Sequence, residues 1–133
     1  MKRPGLTTDA IILNDKKEVL LIKRTIPPFK GAWVLPGGHV EYKEKVEDSL
    51  KREAKEEIGV ELEIKELFGV YSTPNRDPRD HIVTIVYTGK IKEGSEIKLG
   101  EEASDYKFFP LKDLSSNIGF DHKKIIEEFK ESQ

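Results

Sequence analysis

A glycine pair followed by one strongly patterned helix constrains this chain more than any other segment. Residues 37–60 read GGHVEYKEKVEDSLKREAKEEIGV. From about residue 43 to residue 58 the pattern is helical, and apolar residues at every fourth position form one stripe. The stripe consists of Val46, Leu50, Ala54 and Ile58. Gly59 is a natural C-terminal stop, so the segment predicts one amphipathic helix whose apolar side has to be covered by other elements.

The remaining apolar runs predict mainly strands. Two β-favouring runs, residues 7–13 and 18–24, are joined by residues 14–17, a hairpin-type turn. The other predicted elements are a short strand at 32–35, longer strands at 61–72 and 81–91, a strand at 106–109, a helical turn at 111–114 and a closing helix at 122–131. Strands around an early helix, with a second helix at the end, predict an α/β fold, an α/β/α sandwich with a mixed β-sheet between helices. The 133 residues show no repeat or linker, so residues 1–133 are expected to form a single domain.

Composition excludes several classes of function. The net charge of −2 provides no general basic surface for nucleic acid or for an anionic membrane. Without cysteine there are no disulfides, thiolate metal sites or cysteine nucleophiles, and a reducing cytoplasm is the expected location. No leader pattern or membrane-length apolar run is evident. Lys and Glu dominate the charged 36% of the chain, as on thermophile surfaces. The oligomeric state is left open, with a homodimer as one candidate.

Three carboxylates on one flank of the predicted helix are the strongest candidates for chemistry. Glu53, Glu56 and Glu57 lie beside the apolar stripe, apart from the lysine-rich side. Like charges at this spacing repel one another, and partial burial would raise their pKa values. A hard divalent cation such as Mg²⁺ relieves both problems and commonly joins carboxylates to substrate phosphates. The alternative is an ordinary surface helix with ion pairs such as Glu47–Lys51.

The spacing of these residues resembles the box that defines the Nudix hydrolases. Gly38, Glu44 and the run REAKEEIGV from Arg52 to Val60 match G-x5-E-x7-R-E-U-x-E-E-x-G-U, where U is a bulky aliphatic residue. Ala54 is the single departure, and it remains apolar. The resemblance implies hydrolysis of a nucleoside diphosphate linked to another moiety, by attack of water on phosphorus with Mg²⁺ or Mn²⁺.

The resemblance also implies a role for each residue of the box. Glu53 and Glu57 would be the principal metal ligands, and Glu56 an additional one. Arg52 would orient Glu53 by a charge-assisted hydrogen bond, and Glu44 would support the junction between loop and helix. A backbone carbonyl of Gly37 or Gly38 would reach a metal, which requires close approach of the backbone.

A later acidic segment provides the candidates for the general base. In Nudix hydrolases this group often comes from a later loop, which corresponds here to LGEEASDYKFFPL. Glu102 is the leading candidate, and Glu101 and Asp105 are its rivals. The alternative is a polar loop with ordinary surface acids.

Two segments that extend beyond the box resemble ADP-ribose pyrophosphatases. They are residues 20–44 and residues 69–87, and Pro74 follows the box at nearly the spacing of that subfamily. Thr73 and Asp80 depart from its usual loop. The predicted substrate contacts are Arg24, Gly38, Tyr71, Arg76 and Arg79.

Forked arginine donors suit phosphate or ribose oxygens, and Tyr71 would stack on a base or shape its slot. Each prediction has a simpler alternative: Tyr71 as core, and the arginines as ion-pair partners of Asp77 and Asp80. Trp33 is expected in the core. The three histidines lack ligand spacing, so no histidine metal site is expected.

Two other functions remain compatible with the sequence. One is a nucleoside triphosphate pyrophosphohydrolase that removes oxidised dGTP from the nucleotide pool. The other is a non-catalytic ADP-ribose-sensing module, although all the carboxylates of the box are present. A small nucleotide is the expected partner in every case.

Overall fold

Strands provide the framework of the protein in the computed structural model, which describes residues 2–133. In chain order the elements are β1 (Gly5–Ile12), β2 (Val19–Arg24), β3 (Trp33–Val34), β4 (Gly37–His39), α1 (Val46–Ile58), β5 (Leu62–Tyr71), β6 (Ile82–Ile91), β7 (Ala103–Phe109) and α2 (His122–Glu131). No helix in this part of the chain is long and apolar enough to cross a membrane.

The strands form two sheets. The larger has the order β4-β1-β6-β5, and the smaller has the order β3-β2-β7. β1 runs parallel to β6 and antiparallel to β4, so the larger sheet is mixed. The predicted α/β class and mixed sheet are therefore confirmed, with a second small sheet that the sequence pattern did not indicate.

The predicted hairpin-type turn at residues 14–17 is present, because the N–H of Asn14 bonds to the carbonyl of Glu18, but the strands on either side of it do not pair along their length. β1 and β2 belong to different sheets, and only the bridge between Leu13 and Val19 joins the two segments. The side chain of Asn14 closes the turn by accepting hydrogen bonds from the backbone N–H groups of Lys16 and Glu18. Both strands are almost continuously buried, as strands covered on both faces are. Along its edges β1 pairs with β4 and β6, and β2 pairs with β3 and β7.

The two helices cover separate hydrophobic cores. Leu50, Ala54 and Ile58 of α1 pack in one cluster with residues of β1 and β2. Ile125, Ile126 and Phe129 of α2 belong to the other cluster. A fully buried Ile or Leu side chain stabilises the fold by about 1.5–3 kcal/mol. These contacts orient the rest of each helix, including the acidic flank of α1.

Several element boundaries differ from the predicted ones. α1 begins at Val46, after the N-cap Lys45, whose backbone is extended with ψ of 145°. Lys43 has a left-handed backbone with φ of 66°, which a right-handed helix does not contain. Gly59 ends α1 as expected, with φ of 68° and its N–H bonded to the carbonyl of Lys55. Residues 111–114 form no helical turn. The N–H of Asp113 bonds to the carbonyl of Pro110, which closes a single β-turn.

Candidate active site

One cavity of about 440 Å³ gathers most of the residues that the sequence singled out. Its wall is formed by strands β1 to β4, the acidic flank of α1, the first residue of α2 and several of the connecting loops. Five members of the Nudix-type box line it: Gly38, Arg52, Glu53, Glu56 and Glu57. The fold therefore brings the glycine loop and the carboxylates of α1 to one solvent-connected site.

Gly38 and Gly37 contact the two most buried glutamates. A Cβ atom on Gly38 would lie 2.6 Å from both carboxylate oxygens of Glu53, so only glycine allows this approach. The N–H of Gly37 donates to Oε1 of Glu57 at 2.9 Å. Both glycines thus place carboxylates through direct contact. That a carbonyl of this pair reaches a metal stays a prediction.

Arg52 connects the loop to the helix through a fork of hydrogen bonds. Its Nε donates to Oε2 of Glu44 at 2.8 Å, and its Nη1 donates to Oε1 of Glu53 at 2.9 Å. Its Nη2 donates to the backbone carbonyl of His39 at 3.0 Å. The hydrogen bond from Arg52 lowers the pKa of Glu44 to about 2, so this carboxylate stays ionised. Glu44 also accepts the N–H of Glu41, which fixes the loop before α1.

The electrostatics of the acidic flank favour a cation. Burial raises the pKa of Glu53, against the opposing effect of Arg52, and the charges of Glu56 and Glu102 raise it further. Burial also raises the pKa of Glu57 well above its usual range, and Glu53 and Asp9 add to that effect. Without a bound cation, these carboxylates are therefore poorly solvated and repel one another.

The donors present suit a hard divalent cation. Carboxylate oxygens are the ligands that Mg²⁺ and Mn²⁺ prefer, with water and substrate phosphate completing the shell. No three His, Cys, Asp or Glu side chains of residues 2–133 are already arranged around one point. In this arrangement Arg52 donates to one oxygen of Glu53 and contacts Glu56, and the N–H of Gly37 donates to one oxygen of Glu57.

Of the three candidates for the general base, only Glu102 lines the cavity. Thr25 anchors its segment, because the N–H of Thr25 bonds to the carbonyl of Glu102 and its hydroxyl donates to the carbonyl of Glu101. The side chains of Glu101 and Asp105 lie outside the cavity lining. Asp105 instead accepts the N–H of Tyr106. Its position in the cavity lining therefore favours Glu102 over the other two candidates for the general base.

The predicted arginines all line the cavity, but they are not equivalent. Arg76 is almost fully buried, and its Nε and Nη2 form a fork with Asp121 while its Nη1 donates to the carbonyl of Ile82. All three of its nitrogens are used within the protein. Arg24 and Arg79 each have protein partners for Nε and Nη2 only, within the described residues. They are therefore the better placed of the three for an anionic ligand.

Tyr71 lies outside the cavity. Its hydroxyl donates to Oε1 of Glu128 at 2.7 Å, and its ring packs against the core beneath α2. The predicted stacking on a base is not supported, because β5 directs this side chain towards α2. Trp33 also packs in that core, edge-on to Phe109 with 5.2 Å between ring centroids, as expected.

Sequence reasoning missed several residues that line the cavity, among them Asp9, Phe120 and His122. Asp9 is a lone acid within an apolar strand, which is a signal that could have been used. Its Oδ2 accepts the hydroxyl of Thr84 at 2.6 Å and lies 3.7 Å from Nε2 of His122. The sequence around Phe120 gives no comparable indication, because the role of Phe120 depends on its contacts with arginines that are distant in the chain.

Comparison with known proteins gives a consistent result. The sequence profile described as "NUDIX domain" matches residues 3–129. A relative from Methanocaldococcus jannaschii named ADP-ribose pyrophosphatase is 47% identical over 126 residues, 95% of this chain and 73% of its own length. A Bacillus subtilis protein named putative 8-oxo-dGTP diphosphatase is 31% identical over 120 residues, 90% of this chain and 76% of its own. The structure of the NUDIX domain of Shewanella oneidensis NrtR complexed with ADP ribose superimposes with a TM-score of 0.81 at 29% identity, covering 99% of this chain and 90% of that one.

Proposed function

The chain belongs to the Nudix family, and from this premise we infer that it hydrolyses the pyrophosphate bond of ADP-ribose, giving AMP and ribose 5-phosphate. The relative named ADP-ribose pyrophosphatase spans nearly the whole chain, which supports this substrate. The complex of a similar domain with ADP ribose shows that this fold accommodates the ligand in that protein.

The observation that carries the proposal is the composition of a single cavity. It contains the half-buried carboxylates of Glu53 and Glu57 together with the guanidinium groups of Arg24 and Arg79. A diphosphate needs positive charge on its oxygens, and a hard cation needs carboxylates. The cavity offers both, as a metal-dependent pyrophosphatase requires.

Each residue has a distinct role in this proposal. Glu53 and Glu57 would hold Mg²⁺ or Mn²⁺, with Glu56 as an additional ligand. When bound, the ion would neutralise phosphate charge and make the attacking water more acidic. Arg52 holds the carboxylate of Glu53 in place, and a carboxylate oxygen of Glu102 accepts the proton of the water.

Arg24 and Arg79 would bind the phosphate oxygens in our proposal. Arg76 would act through its ion pair with Asp121, which secures the loop between β5 and β6. We also propose that residues 1–133 form one catalytic domain and that it works in the cytoplasm, which the absence of cysteine supports.

A nucleotide panel tests the substrate. ADP-ribose, 8-oxo-dGTP and a dinucleoside polyphosphate are incubated separately with Mg²⁺ and with Mn²⁺, and products are identified by chromatography. We expect AMP and ribose 5-phosphate from ADP-ribose, and loss of turnover in Glu53→Gln with the fold retained. Intact ADP-ribose beside hydrolysed 8-oxo-dGTP would refute the proposal in favour of the second candidate, which the Bacillus subtilis relative supports.

A sensing module is the third possibility. It predicts tight binding of ADP-ribose without turnover under every metal condition. The presence of Glu53, Glu56 and Glu57 together in the cavity speaks against it, because a binding module has no need for three repelling carboxylates.

A further inference from the structure

Two arginines of the cavity meet over a single aromatic ring. The guanidinium carbon of Arg24 lies 5.3 Å from the ring centroid of Phe120, and that of Arg79 lies 5.6 Å from it. Both distances are within the range of an attractive cation–π contact. All three side chains line the cavity. Phe120 thus joins residues that come from the end of β2 and from the loop between β5 and β6.

Each guanidinium is also fixed by acceptors within the protein. Nε of Arg24 donates to the carbonyl of Pro28 at 2.7 Å. Arg79 forms a fork with the buried carboxylate of Asp77, with distances of 3.0 Å from Nε and 2.7 Å from Nη2. Among residues 2–133, Nη1 of Arg24 and Nη1 of Arg79 donate to no protein acceptor. One end of each fork is therefore left for a ligand.

Two positive charges this close repel each other. Burial lowers the pKa of Arg24, and the charge of Arg79 lowers it further, although Glu102 acts in the opposite direction. The carboxylate of Asp77 offsets part of this repulsion, because it forms an ion pair with Arg79 and raises the pKa of that group. The electron-rich face of the aromatic ring adds to this compensation, and an anionic ligand would complete it.

Phe120 has a backbone conformation that is unusual for a bulky residue. Its φ is 54°, in the left-handed region, which is uncommon for a bulky residue and tends to persist at functional sites. The N–H of the preceding Gly119 bonds to the carbonyl of Trp33, and the following His122 is buried and bonded to the N–H of Leu35. The chain on both sides thus holds the ring in this orientation.

We propose that Phe120 is a positioning residue that holds Arg24 and Arg79 together as one site with two guanidinium groups for the diphosphate of the substrate. The inference rests on the proposed function and extends it, because it names the group that sets the geometry of diphosphate binding. A diphosphate presents two adjacent anionic groups, which matches two guanidiniums that each have one unused nitrogen. A monophosphate would occupy only part of the site.

Three substitutions of Phe120 test the proposal. Phe120→Asn removes the ring and suits a left-handed backbone, Phe120→Leu keeps apolar volume, and Phe120→Tyr keeps the ring. We expect Asn and Leu to raise the KM for ADP-ribose roughly tenfold with kcat changed by less than about threefold, and Tyr to stay within about twofold of the parent in both. Unchanged KM in both ring-less variants, or a Tyr variant as impaired as they are, would overturn the proposal.

Phe29→Asn is the matched control. Phe29 has φ of 63° and packs on Phe120 with 4.8 Å between ring centroids, but it does not line the cavity and has no arginine over its ring. We expect its KM to stay within about threefold of the parent value. An equal rise in Phe29→Asn and Phe120→Asn would assign the effect to general packing and refute a role for the arginine contacts.

Calorimetric binding of ADP and of AMP in EDTA separates this inference from the proposed function. The parent protein should bind ADP more tightly than AMP without metal, and Phe120→Asn should lose roughly tenfold in ADP affinity while AMP affinity falls less. No binding of ADP by the parent, or equal losses for both ligands, would overturn the inference. Failure to hydrolyse ADP-ribose would refute the proposed function instead, because these binding measurements need no turnover.

Discussion

The peptide backbone at Gly38 lies directly against the carboxylate of Glu53, and a Cβ atom at Gly38 would stand 2.6 Å from each of its oxygens. The loop before α1 therefore contacts one side of the Glu53 carboxylate. Arg52 holds the carboxylate from another side through a hydrogen bond of 2.9 Å. Contacts with Gly38 and Arg52 therefore fix the position of the Glu53 carboxylate.

Gly38→Ala should consequently displace Glu53 and lower kcat by at least about a hundredfold, because misplacement by 1 Å is enough for losses of this size. The melting temperature should fall only slightly, because the carboxylate can swing towards solvent. Gly5→Ala is the control: its Cβ would meet Ile82 at an ordinary 3.4 Å. Steady-state kinetics and thermal unfolding of both variants check the prediction, and an active Gly38→Ala would contradict it.

Arg52→Lys should reduce kcat about ten- to a hundredfold with the charge retained. An ammonium group cannot donate along the fork that Arg52 directs at Glu44, Glu53 and the carbonyl of His39. Lys51→Ala changes an exposed neighbour on α1 and should leave kcat within about twofold. Kinetics with saturating metal measure the effect, and equal activity of Arg52→Lys and the parent would exclude the orienting role.

Glu102→Gln and Glu101→Gln form a matched pair on the loop before β7. General-base catalysis contributes about 10²–10⁴-fold, so Glu102→Gln should lower kcat by about a hundredfold or more. Glu101 lies outside the cavity lining, and its variant should stay within about threefold of the parent. The pH–rate profile of each variant provides the measurement. Equal effects at the two positions would show that neither carboxylate is the base.

Glu57→Gln should stabilise the metal-free protein and at the same time abolish metal binding. Burial raises the pKa of Glu57 well above its usual range, so the ionised group destabilises the metal-free fold near neutral pH. A neutral amide retains an acceptor for the N–H of Gly37, and we expect the melting temperature in EDTA to rise by roughly 3–6 °C. Calorimetry should show loss of Mn²⁺ binding in the same variant. Glu56→Gln, at an exposed position, is the control for stability and should leave that temperature nearly unchanged.

His122 should make stability depend on pH. Burial lowers its pKa below the ordinary 6.5, although the charge of Asp9 acts in the opposite direction. The unfolded chain therefore takes up the proton at higher pH than the folded chain, and the free energy of unfolding falls as the pH drops below about 6.5.

His122→Asn should flatten the stability curve between about pH 6.5 and pH 5, because an amide has no proton to take up in this range. Its oxygen is available as a replacement acceptor for the N–H of Leu35. Urea denaturation across this range measures the slope. His39→Asn, at an exposed position, should keep the slope of the parent, and an unchanged slope in His122→Asn would contradict the assignment.

Local periodicity explains why the acidic helix was predictable. The apolar stripe of α1 and its stop at Gly59 depend on residues within a few positions of one another. The structure confirms the stop and the burial of Leu50, Ala54 and Ile58, whereas Val46 is only partly buried. The crowding of Glu53 and Glu57 also follows from their spacing on one helix. The mixed sheet followed from the order of helical and strand patterns along the chain.

Strand partners and the membership of the cavity were decided only in three dimensions. The apolar runs in β1 and β2 predict that both strands are buried, but not which strand lies beside each of them. The turn between them was therefore predictable, whereas their places in two different sheets were not. Tyr71 and Arg76 come from the same region of sequence, yet Tyr71 bonds to Glu128 outside the cavity.

The sequence by itself determined the fold class, the helix and the carboxylates that it presents, because these depend on periodicity and spacing along one element. Only the tertiary structure decided that Glu102, rather than Glu101 or Asp105, lines the cavity. It also decided that Arg76 is held by Asp121, while Arg24 and Arg79 share the ring of Phe120. These contacts join residues far apart in the chain, and no local pattern encodes the packing that brings them together.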